Sequence, residues 1–141
     1  VVNTLVVVLY KKLNIPNVEL VGYKSGKELI KYIKESSFVI VPSECYETNS
    51  LSTLEAYAYG KPVIASRIGV FQELIKDGLT GFNFTPKDYI DLKNKILKCV
   101  NMDMDTYKKF SDNAFNFVSE KFTPNYYYNQ LISIYENALY L

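Results

Sequence analysis

The sequence contains no histidine, two cysteines, a single arginine and no excess of either charge sign. Each absence removes a class of chemistry. Without histidine there is no Ser-His-Asp or Cys-His nucleophile and no imidazole general base. Cys45 and Cys99 are too few for a disulfide framework, and with no histidine beside them they form no zinc cluster. Sixteen basic against fifteen acidic side chains leave a formal charge of +1. A broad nucleic-acid or anionic-membrane surface is therefore not expected. Long apolar runs are also missing. The stretch from Val1 to Tyr10 includes Asn3 and Thr4 and falls short of the roughly 20 apolar residues that span a bilayer. It has neither a basic leader nor a small-residue cleavage site, so no signal peptide is expected and the location implied is cytoplasmic. Beginning on Val1 rather than methionine, the chain is expected to be a segment of a longer protein. Any chemistry falls on carboxylates, lysine, tyrosine or backbone amides.

What is present is ordinary globular material. At 141 residues, 48% hydrophobic and 22% charged, the chain suits a single domain over 1–141 with one sizeable core. Short β-branched runs read as strands at Leu5 to Leu9, Val18 to Val21, Phe38 to Val41, Val63 to Ala65 and Gly81 to Phe84. The first of these could equally be the end of a helix. Helical patterns fall at Lys27 to Glu35, Ser52 to Tyr59 and Phe71 to Lys76. Three longer ones follow, at Lys87 to Val100, Asp105 to Lys121 and Asn125 to Tyr140. Strands alternating with helices specify an α/β fold with a doubly wound parallel sheet. Its ligands bind beyond the carboxyl ends of the strands, so the loops after Val21, Val41 and Ala65 matter most.

The loop after Val41 is the most informative. Val41 to Ser66 reads VPSECYETNSLSTLEAYAYGKPVIAS, with Glu47 in the loop and Glu55 eight positions on, inside a helix. The amides around Asn49, Ser50 and Leu51 crowd at that helix start, where unpaired N–H groups and a partial positive charge suit a phosphate or diphosphate. A carboxylate on either side could accept bonds from sugar hydroxyls, which fits a nucleotide sugar. Each part also has a plainer reading. Ser52 to Glu55 matches a capping box, and Glu47 alone could be a solvated loop residue.

Taken together, these residues resemble the signature of family 4 retaining glycosyltransferases: P-S, a few residues, E, seven residues, E-A, then a G-x-P-V-I-A-S-like run. Pro42, Ser43, Glu47, Glu55, Ala56, Gly60, Pro62, Val63, Ala65 and Ser66 match it. Further matches lie at Asn17 to Tyr23, Gly69, Glu73 to Ile75 and Asp77 to Gly81, so the resemblance runs roughly from Ile15 to Pro86. It implies the C-terminal, Rossmann-like half of a GT-B fold, which binds a nucleotide-diphosphate sugar as co-substrate without a metal. Glu47 would contact the transferred sugar and count as the catalytic position, Glu55 would hold the ribose, and Asn49, Ser50 and Leu51 would hold the diphosphate. Gly22, Tyr23 and Lys24 would lie near the nucleobase. The implied partners are a saccharide or lipid-linked acceptor and an N-terminal acceptor domain, through which any peripheral membrane association would come. Thr48, Asn49 and Ser50 stand where the family often has Gly-Phe-Gly. The family's basic pair is not found, since Arg67 lies elsewhere.

Two other features are weighed as decoys. Asp103-Met104-Asp105 spells a D-x-D but lies between helices, and Asp105 is a natural helix-start residue. Tyr126, Tyr127 and Tyr128 could form a sugar platform, but at helical spacing they are expected to pack the last helix instead. The competing functional classes are a non-catalytic nucleotide-sugar-binding module and a flavodoxin-like interaction domain.

Overall fold

The computed structural model describes residues 15–139. The strand-or-helix reading of Leu5 to Leu9 lies outside them. Contacts within the chain define two units, Val1–Tyr32 and Ile33–Leu141. In the described part of the first, Val18 N–H turns back to the Ile15 carbonyl at 3.3 Å. The Val18 to Val21 stretch forms no strand, contrary to the sequence reading. Apolar and β-branched content permits a strand, but only ladder pairing with a neighbour creates one.

Helix α1 (Gly26–Glu35) leads into the second unit. There the order is β1 (Val39–Val41), α2 (Leu51–Ala58), β2 (Val63–Ser66), α3 (Phe71–Leu74) and β3 (Gly81–Phe84), followed by α4 (Tyr89–Val100), α5 (Met104–Lys121) and α6 (Pro124–Leu139). The strands form a parallel sheet in the order β1-β2-β3. Val39 pairs with Val63, and Val63 in turn with Gly81. All four residues of β2 are buried, as a central parallel strand requires.

The core gathers Ala56 and Tyr57 from α2, Val63 and Ala65 from β2, Phe71 and Ile75 around α3, and Ala114 from α5. Val63 and Ala65 share one face of the sheet because side chains alternate along a strand. Tyr57 is the largest fully buried side chain. Its hydroxyl is satisfied by Thr80 Oγ1 at 2.7 Å and by the Leu74 carbonyl at 3.4 Å, which is the condition on which a buried phenol is tolerated.

The helix starts follow local chemistry. Asp88 caps α4, accepting from Ile90 N–H at 3.0 Å and Asp91 N–H at 2.9 Å. Asp103 caps α5, accepting from Thr106 N–H and Oγ1, both at 2.8 Å. The start thus falls on Asp103 rather than on the expected Asp105, which lies in the first turn of α5, because it is the Asp103 carboxylate that reaches the Thr106 amide. The final helix has no fully buried residue, and Tyr127 and Tyr128 are 68% and 62% exposed. It packs against α5, and Leu131 and Ile132 are half-buried.

Candidate functional site

Three parallel strands deliver their carboxyl ends to one edge, so the segments after Val41, Ser66 and Phe84 converge there. Pro42 cannot donate a ladder bond, and the chain leaves β1 at that point. The loop then runs to Ser50, the residue before the first turn of α2. Ser50 is 1% exposed. Its carbonyl accepts from Thr53 and Leu54 N–H at 3.1 and 3.2 Å. Its hydroxyl turns inward to Thr53 Oγ1 at 3.0 Å and Ser52 Oγ at 3.2 Å rather than capping the helix. The amides of Leu51 and Ser52 at this start have no acceptor among the described residues. A serine in a position that often carries glycine is accommodated by burying its side chain.

Because the helix begins at Leu51, Glu55 falls at its fifth position, not its third. The Ser52 to Glu55 capping box is therefore not formed. Glu55 projects from α2 as an exposed residue, and Glu47 is half-buried in the loop. Neither has a hydrogen-bond or ion-pair partner among the described residues. Asn49 is exposed beside them.

A contact that the sequence did not disclose fixes the loop. Gly69, at φ +52°, lies so close that an added Cβ would meet Tyr46 Cδ1 at 3.3 Å, the Glu47 carbonyl oxygen at 3.5 Å and the Glu47 amide nitrogen at 3.6 Å. The segment after β2 is thus pressed against the backbone of Glu47, at a backbone angle and spacing that favour glycine. Gly69 was visible in the sequence; its contact was not, because the two residues are brought together only by strand pairing. A second undisclosed contact joins Lys87 Nζ to Glu44 at 3.8 Å.

Gly22, Tyr23 and Lys24 belong to the first unit. Tyr23 is 91% exposed, while Lys24 pairs with Glu28 and sits 5.8 Å from the centroid of the Tyr32 ring. The strand expected just before them is the one that is not formed. Among the described residues no cluster of three or more His, Cys, Asp or Glu could hold a metal ion. None of the described helices is long and apolar enough to cross a membrane.

Comparison with known proteins gives the family. The model of the family "Glycosyl transferases group 1" covers residues 4–117. An uncharacterised glycosyltransferase of Methanocaldococcus jannaschii is 35% identical over 122 residues, 82% of this chain and 34% of that protein. The sucrose-phosphate synthase of Thermosynechococcus elongatus superposes with a TM-score of 0.79 at 27% identity, over 95% of this chain and 33% of that one. The Anabaena protein HepE, solved in complex with UDP and glucose, gives 0.76 at 25% identity, over 91% of this chain and 34% of its own. The chain belongs to the group 1 glycosyltransferases and has the Rossmann-like fold of one half of a GT-B enzyme. It spans about a third of the length of these relatives.

Proposed function

We propose that this chain is the donor-binding part of a retaining glycosyltransferase that transfers a hexose-type sugar from a nucleoside diphosphate to a saccharide or lipid-linked acceptor. The observation that carries the reading is the loop between β1 and α2. It brings an unpartnered Glu47, held by Gly69, directly before a helix start whose Leu51 and Ser52 amides lack acceptors. The likeness to HepE, whose structure holds UDP and glucose, supports it.

In this reading Glu47 accepts hydrogen bonds from hydroxyls of the transferred sugar, and Glu55 from those of the ribose. The amides of Asn49, Ser50 and Leu51 face the diphosphate. Charge builds on the departing nucleoside diphosphate as the glycosidic bond breaks. A helix start already oriented towards that charge stabilises it without reorganisation. No metal is required of the site, and Glu47 acts as a binding carboxylate rather than a nucleophile. The acceptor surface belongs to a further domain, so this chain by itself is expected to bind donor without turning it over.

Calorimetry of the 141-residue chain with UDP, GDP and ADP tests the reading. At least one should bind, and Glu55→Ala should weaken it about tenfold, the cost of losing a charge-assisted hydrogen bond. Failure of all three at millimolar concentration would discard the donor site.

A further inference from the structure

A cavity of about 490 Å3 opens at the amino ends of the strands, the edge of the sheet opposite the donor loop. Phe38 leads from it into β1, and Lys61 lies just before β2. Both methionines of the chain, Met102 and Met104, line it together with Cys99. We infer that these three sulfur side chains form a binding site for a soft monovalent cation of the copper(I) class, separate from the donor site.

The corner between α4 and α5 brings the sulfur residues together. Cys99 lies in the last turn of α4, and the Met102 N–H donates to its carbonyl at 3.3 Å. Met104 is the first residue of α5. One turn further on, the Tyr107 hydroxyl donates to the Ser37 carbonyl at 2.8 Å. That bond ties the start of α5 to the segment before β1, so the corner is held against the sheet.

The donor set selects the ion. Thioether sulfur is weak and polarisable, and thiolate with thioether suits copper(I) among the biological metals. Zinc takes cysteine, histidine and carboxylate, usually four in all, and this cavity supplies one cysteine. Hard cations take oxygen, yet the carboxylate standing between the two methionines is withdrawn. Both oxygens of Asp103 are committed, accepting from Thr106 N–H and Oγ1. The other charged groups lining the cavity, Glu35 and Lys61, are of opposite sign. Net charge therefore draws in neither an anion nor a dication.

Exposure gives an independent observation. Met104 is 78% exposed and Met102 is half-buried, so neither thioether is spent on filling the core and an ion reaches them from solvent. Cys99 is half-buried, and loss of water around its thiolate pushes the thiol up to about 11. It therefore holds its proton at neutral pH until a metal displaces it. On binding, the S–H bond is replaced by one sulfur–metal bond and the proton passes to solvent, with no change of oxidation state. The two thioethers donate lone pairs and complete a three-sulfur set.

Silver(I), a soft monovalent ion that is stable in air, is the probe. It is added to the Cys45→Ser chain, which removes the exposed thiol as a competitor, with the methionine methyls labelled for NMR. One equivalent should move both methyl resonances and release one proton, read by pH-stat. Met102→Leu and Met104→Leu are volume-conserving swaps that keep the fold. Each should weaken silver about tenfold in competition with a chelator, and Cys99→Ser should abolish the proton release. Zinc(II) should leave the methyls where they are. Methyl resonances that stay put, or unchanged affinity in both leucine variants, would reduce the site to a simple thiol reaction at Cys99 and overturn it. An equal methyl response to zinc would overturn its selectivity for a soft ion. The measurement uses no nucleotide, so its outcome and that of the donor calorimetry are independent.

Discussion

Cys45 and Cys99 occupy opposite surroundings, and their reactivity should follow. Cys45 is exposed in the loop that carries Glu47. Cys99, on α4, is half-buried, and desolvation of its thiolate pushes the thiol up to about 11. Iodoacetamide at neutral pH is expected to label Cys45 and largely spare Cys99 until the chain is unfolded. Peptide mass spectrometry over a time course reads the order, and equal labelling of both in the native state would contradict it. At the same scale, Ser50 and Glu55 show what residue identity alone leaves open. A sequence containing Ser50, Ser52 and Glu55 offers two helix starts. The fold chooses Ser50 by burying its hydroxyl against Ser52 and Thr53, which leaves Glu55 out of the helix cap.

Among the elements, β2 and β3 set the tightest steric condition. A Cβ on Gly81 would sit 1.9 Å from the Val63 carbonyl oxygen and under 3.0 Å from two further backbone atoms of that residue. No side-chain rotation relieves a clash with backbone. Gly81→Ala should therefore cost about 3 kcal/mol or more, read from urea unfolding, and a loss below about 1 kcal/mol would show that the strands can separate locally. Helices with long periodic patterns were legible in the sequence to within two or three residues. Asp88 and Asp103 show why, since each start carries its own capping side chain. Predicted strand Val18 to Val21 had no such local marker. Of the Tyr126 to Tyr128 run, Tyr126 is the least exposed, at 41%, as helical spacing turns successive rings in different directions.

For the whole molecule, acid is the informative stress. Asp91 accepts from Thr85 N–H and Oγ1 at 2.8 and 3.0 Å, and Asp103 accepts from Thr106. These bonds favour the ionised carboxyls and hold both below the usual aspartate value. A depressed folded value means stability that is fully present above the unfolded value, about 3.9, and lost as pH falls through the folded one. Below about pH 4 the fifteen acidic groups also neutralise against sixteen basic ones, adding repulsion. Stability should thus fall on the acid side, and Asp103→Asn, which retains a capping oxygen, should make that fall shallower. Parallel acid slopes for the two proteins in urea titrations would remove Asp103 from the account. By itself the sequence determined the α/β class, the placing of Glu47 and Glu55 about a helix start, and the exclusion of histidine chemistry, because these depend on composition, periodicity and spacing. Only the tertiary structure decided that Gly69 presses on Glu47, that Lys87 reaches Glu44, and that Ser66, Phe84 and Tyr89 enclose one cavity. Parallel pairing brings distant loops to a common edge, and no local pattern encodes that proximity.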